Sequence, residues 1–123
     1  MILRKFKFTI SGGLAIAILS LLPGNQLPET DIVFLDLVVH VVMYGTWMLF
    51  ILKEVHKQYQ EGLPRYIDRI VLLFPALFGL LMEVLQEYFI PGRYGSILDA
   101  FSNVTGMLIG GLIFKILRTK QVL

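Results

Sequence analysis

The stretch IVFLDLVVHVVMYGTWMLFIL, residues 32–52, decides the fold of this chain. Its length matches the ~20 residues that cross the hydrocarbon core of a bilayer, and its most polar side chains are those of Asp36 and His40. Three more apolar blocks lie at about 6–22, 70–90 and 97–117. The sequence therefore predicts an all-α protein, a polytopic bundle of four transmembrane helices that forms a single domain over residues 1–123.

The composition excludes several other classes of protein. Hydrophobic residues make up 56% of the 123 residues and the mean hydropathy is +0.74, so too few polar side chains remain to cover a soluble domain. The absence of cysteine excludes disulfides and thiolate sites. Basic residues fall at the ends of the apolar blocks and form no face interleaved with aromatic residues, so we predict no nucleic-acid partner.

The distribution of lysine and arginine predicts the orientation in the membrane. If four spans alternate in direction, residues before the first span, between the second and third, and after the fourth share one side of the membrane. All Lys and Arg residues except Arg93 fall on that side. The positive-inside rule therefore predicts that the N and C termini are both cytoplasmic.

Polar residues of the second predicted span form one stripe. Asp36, His40 and Tyr44 occur at i, i+4 and i+8, which places them on one helix face, running from the outer surface toward the middle of the membrane. The third span runs outward, so Glu83 and Gln86 lie in its outer half as well. Polar residues of two helices are therefore predicted to meet at one depth.

The following turn and the fourth span add to this group. Arg93 lies in the turn 91–96, and Asp99 and Asn103 follow in the first turns of the fourth helix. Gly106 and Gly110 continue the same helix face and favour close approach of a neighbouring helix there. Because ionisable groups in hydrocarbon cost about 3 kcal/mol each, we expect these side chains to face one another in a pocket that opens outward.

These residues resemble the pattern of the VanZ-like family of small bacterial membrane proteins, named after a member associated with glycopeptide antibiotic resistance. The match lies in the segments 36–44 (DLVVHVVMY), 83–86 (EVLQ) and 91–106, and extends over roughly residues 30 to 115. The resemblance implies an integral protein of the bacterial cytoplasmic membrane. It implies functional roles for the following residues: His40, Glu83, Gln86, Arg93, Asp99 and Asn103.

Two interpretations of the polar stripe remain open. In one, Asp36, His40 and Tyr44 form a hydrogen-bonded network that fixes helix packing. In the other, His40 or Glu83 is a catalytic residue that transfers protons, with Asp36 and Asn103 positioning it. The sequence does not decide whether the protein is an enzyme.

The role of Arg93 and the possibility of a metal site are also open. Arg93 either pairs with a carboxylate of the third or fourth helix, or binds an anionic group of a ligand with its planar guanidinium. A metal site formed by His40, Glu83 and Asp99 is a third alternative. One histidine and scattered carboxylates lack the spacing of a zinc motif, so we predict no metal and no cofactor.

The favoured function is recognition of an anionic amphiphile, a lipid or cell-wall precursor, in the outer leaflet. Arg93, Gln86, Asp99, Asn103 and Tyr44 are the predicted binding residues, and membrane lipids are the predicted partners. The alternatives are a structural subunit of a membrane complex and a proton-coupled carrier. The inner halves of the spans offer few polar groups, which counts against a carrier.

Overall fold

A computed structural model describes residues 1–23, 33–60 and 64–121. A short helix α1 (Ile2–Lys5) precedes α2 (Lys7–Leu21), and three long helices follow, α3 (Val33–Gln60), α4 (Ile67–Phe89) and α5 (Ile97–Thr119). The described part of the chain is helical with short connections, which confirms the predicted all-α class.

The predicted spans correspond to these helices with one extension. Among the described residues, three helices are long and apolar enough to cross a membrane, Phe34–Gln60, Ile67–Phe89 and Ile97–Thr119. Lys7–Leu21 is a shorter apolar helix of 15 residues. Helix α3 continues to Gln60, beyond the predicted end of the span at 52, because Glu54, Val55 and Gln58 are buried against neighbouring helices while Lys53 and Lys57 face outward.

Close packing of α3 against α5 forms the centre of the molecule. A Cβ at Gly106 would overlap the carbonyl oxygen of Val41, and a Cβ at Gly110 would overlap that of Gly45. The small residues therefore let the two backbones touch, as the Gly-x-x-x-Gly pattern predicted. Since residue numbers rise together along both helices, α3 and α5 run parallel.

Helix α2 packs antiparallel to α3 and reaches α4. Trp47 of α3 is 2% exposed and donates a hydrogen bond from Nε1 to the carbonyl oxygen of Thr9, at 2.8 Å. Its indole ring lies against Gly12 and Gly13, where side chains would collide with it. Near the opposite end of α2, the backbone carbonyl oxygen of Ser20 accepts a hydrogen bond from the side-chain amide of Gln86 in α4.

The helices thus define two ends. The His40 end contains His40, Glu83, Asn103 and the turn 91–96, whereas the Glu54 end contains Glu54 and the N-terminus of α2. Large apolar side chains such as Leu77, Leu80 and Leu108 remain more than half exposed on the outer faces of the helices. Such a surface suits contact with lipid chains and would be unstable in water.

Candidate functional site

His40 is held in one orientation by Asn103. The histidine is 5% exposed and Asn103 is 2% exposed, and His40 Nδ1 lies 2.9 Å from Asn103 Oδ1 across the α3–α5 contact. An amide oxygen can only accept a hydrogen bond, so Nδ1 carries the hydrogen. In the neutral ring, Nε2 therefore keeps its lone pair, and this lone pair is directed away from Asn103.

Two carboxylates face the Nε2 atom of His40. Asp99 Oδ2 lies 3.7 Å from it and Asp36 Oδ1 lies 3.9 Å from it, which exceeds ordinary hydrogen-bond length. The Asp99 side chain is 13% exposed, whereas the Asp36 side chain is 61% exposed. The predicted stripe on α3 and the predicted acid on α5 are therefore brought together around one nitrogen atom, with space between the groups.

Glu83 and Glu87 of α4 bind the turn that leads into α5. Glu83 Oε2 accepts a hydrogen bond from the Ser96 backbone N–H at 2.9 Å, and Glu87 Oε2 accepts one from the Gly95 N–H at 2.6 Å. The turn approaches so closely that a Cβ at Gly95 would lie 2.8 Å from the carbonyl oxygen of Glu83. Ser96 then caps α5 by accepting from the Asp99 N–H.

Gln86 and Tyr44 are buried deeper than the rest of the predicted site. Gln86 is 1% exposed and donates from Nε2 to the Ser20 carbonyl oxygen at 2.8 Å, so its amide joins α4 to α2. Tyr44 is also 1% exposed, and its hydroxyl oxygen finds no hydrogen-bond partner among the described residues. A Cβ at Gly79 would lie 3.2 Å from this hydroxyl and 3.0 Å from Asn103 Nδ2, so both groups face that glycine.

Arg93 is half-buried in the turn 91–96 and forms no ion pair with any residue in the described ranges. Of the two alternatives for Arg93, the direct bridge to a carboxylate of α4 or α5 is thus absent from the described part of the chain. The Arg93 guanidinium donates no hydrogen bond to a residue in these ranges, and its donors suit an anionic acceptor.

An apolar groove lies beside this turn, between α4 and α5. Its volume is about 530 Å³, and Leu80, Val84, Phe101 and Val104 are among its lining residues. Polar groups of Glu83 and Ser96 also line it. The groove therefore combines a mostly apolar wall with polar groups from the site, as ligand pockets commonly do.

Sequence reasoning missed Glu54, the most completely bonded carboxylate of the described chain. Glu54 is 8% exposed and accepts from the backbone N–H groups of Phe8 and Thr9, at 2.8 and 2.9 Å, and from Thr9 Oγ1 at 2.7 Å. These donors belong to the first turn of α2, so Glu54 caps that helix from α3. The charged residue Lys53 next to it gave no sign that Glu54 is buried. The helical spacing of Glu54, Val55 and Gln58, which places them on one buried face of α3, could have indicated it.

Comparison with protein families identifies the chain. A sequence model described as VanZ/LLP1 matches residues 4–118, nearly the full length. No curated protein and no solved structure matches it. The chain belongs to the VanZ/LLP1 family, which confirms the resemblance, and family membership together with three apolar helices of sufficient length indicates a membrane protein.

Proposed function

We propose that this VanZ/LLP1 protein binds an anionic amphiphile from the outer leaflet of the bacterial cytoplasmic membrane. The headgroup would be bound by Arg93 and an acyl chain would occupy the groove between α4 and α5. The observation that carries the proposal is the position of a half-buried arginine, without an ion pair in the described chain, in the turn that borders an apolar groove. Phosphate and carboxylate groups match the planar guanidinium.

The orientation that this function requires is part of the proposal. The chain would cross the membrane four times with both termini in the cytoplasm, α2 being the fourth span besides α3, α4 and α5. Opposite directions of α2 and α3 support it, and so does the concentration of lysine and arginine on one side. A C-terminal reporter active only outside the cytoplasm should remain inactive, and an active reporter would contradict this orientation.

The headgroup contact can be tested with lipids of defined charge. The full chain in detergent is titrated with phosphatidylglycerol or with phosphatidylcholine, and binding is followed by native mass spectrometry. We expect Arg93→Gln to weaken phosphatidylglycerol binding about tenfold or more, as for loss of a charge-assisted hydrogen bond. Arg69→Gln is the matched control, an exposed arginine at the start of α4 on the other side of the membrane, and should bind as the parent does.

The groove is tested separately from the headgroup. Ala100 lines the groove, so Ala100→Trp would fill it with a large side chain. We expect this variant to bind both lipids more weakly, whereas Arg93→Gln should reduce the preference for the anionic one. Equal binding of phosphatidylglycerol by the parent and by Arg93→Gln would refute the headgroup role, and unchanged binding by Ala100→Trp would refute the groove.

Proton transfer by His40 is compatible with this function. Asn103 orients the ring, and Asp99 and Asp36 lie on the side of Nε2. Glu83 is bonded to the Ser96 N–H, which favours a positioning role for Glu83 over a catalytic one. The link to glycopeptide resistance rests on the family resemblance alone.

A further inference from the structure

The geometry points to a divalent transition-metal site formed by Asp36, His40 and Asp99, a proposal that goes beyond lipid binding and departs from the metal-free expectation of the sequence. One nitrogen from His40 and one oxygen from each aspartate lie within 4.8 Å of one another. Imidazole and carboxylate ligands suit Zn²⁺ and Mn²⁺, whereas Ca²⁺ and Mg²⁺ prefer oxygen ligands alone.

The tautomer of His40 is the one that a metal ligand requires. Its Nδ1–H donates to Asn103 Oδ1 at 2.9 Å, which leaves the Nε2 lone pair directed toward the two carboxylates. Metal-binding histidines usually donate their other ring N–H to such an acceptor, because this fixes the ring and raises its basicity. Asn103 would thus be a positioning residue for the ion.

The spacing of the three groups also fits an ion better than direct hydrogen bonds. Distances of 3.7 and 3.9 Å from Nε2 are too long for hydrogen bonds. Metal–ligand bonds of 2.0–2.2 Å place two atoms on one tetrahedral Zn²⁺ roughly 3.4 Å apart. The three ligand atoms lie within 4.8 Å of one another, and a rotation of the Asp36 side chain, which is 61% exposed, would bring its oxygen to the distance that an ion requires.

Charge balance supports the same conclusion. Two carboxylates and a histidine lone pair converge at the membrane-embedded His40 end, where uncompensated charge is costly. Arg93, the cation of the nearby turn, forms no ion pair with Asp99. A divalent cation would neutralise both carboxylates, and a water or a ligand oxygen would complete the coordination from the exposed side of Asp36.

The test measures metal binding without lipid, so it is independent of the proposed function. Full-length protein without a polyhistidine tag, purified in detergent and stripped with EDTA, is titrated with Zn²⁺ or Mn²⁺ by calorimetry. We expect one bound ion per chain. Asp36→Asn, which replaces an exposed carboxylate without hydrogen bonds in the described chain by a neutral amide of the same shape, should weaken binding by about tenfold or more.

Two further variants distinguish metal binding at the proposed site from metal binding elsewhere on the protein. His40→Ala should abolish uptake, and His56→Ala, which replaces the other of the chain's two histidines, should leave it unchanged. If His40→Ala fails to fold, the Asp36→Asn result decides. The proposal is overturned if the parent binds neither ion, or if Asp36→Asn binds as tightly as the parent.

Discussion

The two ends of the helix group bury polar side chains in different ways. At the Glu54 end, one carboxylate receives three hydrogen bonds of 2.7–2.9 Å from the first turn of α2. At the His40 end, His40 Nε2 stands 3.7 and 3.9 Å from two carboxylates, and the Tyr44 hydroxyl has no partner in the described chain. The polar group of the Glu54 end is thus hydrogen-bonded within the protein, whereas two polar atoms of the His40 end have no hydrogen-bond partner among the described residues.

This difference separates a structural polar group from a candidate site. A buried group whose hydrogen bonds are all made stabilises the fold and has nothing left to bind a ligand. Buried groups that lack partners cost about 1–3 kcal/mol each, so packing alone does not account for them. Glu54 therefore has a structural role, and the His40 end is the better candidate for ligand or ion binding.

The largest loss of stability is expected at the contact between α3 and α5, which joins the two ends. Gly110→Ala places a methyl group against the Gly45 carbonyl oxygen and forces α3 and α5 apart. Neither backbone can move cheaply, so we expect a loss of about 3 kcal/mol and damage at both ends. Thermal unfolding in detergent measures it.

Gly111→Ala is the matched control for that substitution. A Cβ at Gly111 would lie 4.0 Å from Leu52 Cδ1, which is an ordinary contact. This variant should unfold at the parent temperature or slightly above it, since alanine favours helix. Equal destabilisation by both substitutions would show that the α3–α5 contact is not what joins the ends.

A smaller loss is expected from Glu54→Ala, which acts on the Glu54 end alone. It leaves the N–H groups of Phe8 and Thr9 and the Thr9 hydroxyl without their acceptor, and we expect a cost of about 2 kcal/mol. Glu54→Gln should recover part of it, and exposed Lys53→Ala should cost little. The proposed metal and lipid binding at the His40 end should not be affected by Glu54→Ala; a loss of either would mean that the two ends are coupled.

The smallest effect is expected from Tyr44→Phe at the His40 end. Because the Tyr44 hydroxyl is buried and has no protein partner in the described ranges, its removal should raise the stability of the ligand-free chain by about 1 kcal/mol. Trp47→Phe provides a contrast, since it removes a buried donor bonded to Thr9 at 2.8 Å and should be clearly destabilising. A marked loss in Tyr44→Phe would mean that the hydroxyl is already satisfied.

Much of the candidate site could be predicted because helical periodicity projects polar residues onto one face. Spacing alone aligned Asp36 with His40 and placed Asp99 and Asn103 on a single face of α5. Partners across helices could not be predicted, since they depend on helix rotation. Two such partners are the Ser20 carbonyl oxygen of α2, which accepts from Gln86, and the Ser96 backbone N–H, which donates to Glu83.

The sequence by itself determined the apolar helices, the family and the face on which each polar group lies, because hydropathy and a 3.6-residue period are local properties. Only the tertiary structure decided which helices touch and which atoms meet. Gly106 and Gly110 bring α5 against α3, so Asn103 meets His40 and leaves Nε2 facing two carboxylates. Helix packing also buries Glu54, which caps α2 from α3. The charged residues next to it in the sequence do not indicate this role, because hydrogen-bond partners distant in sequence are set by how helices pack.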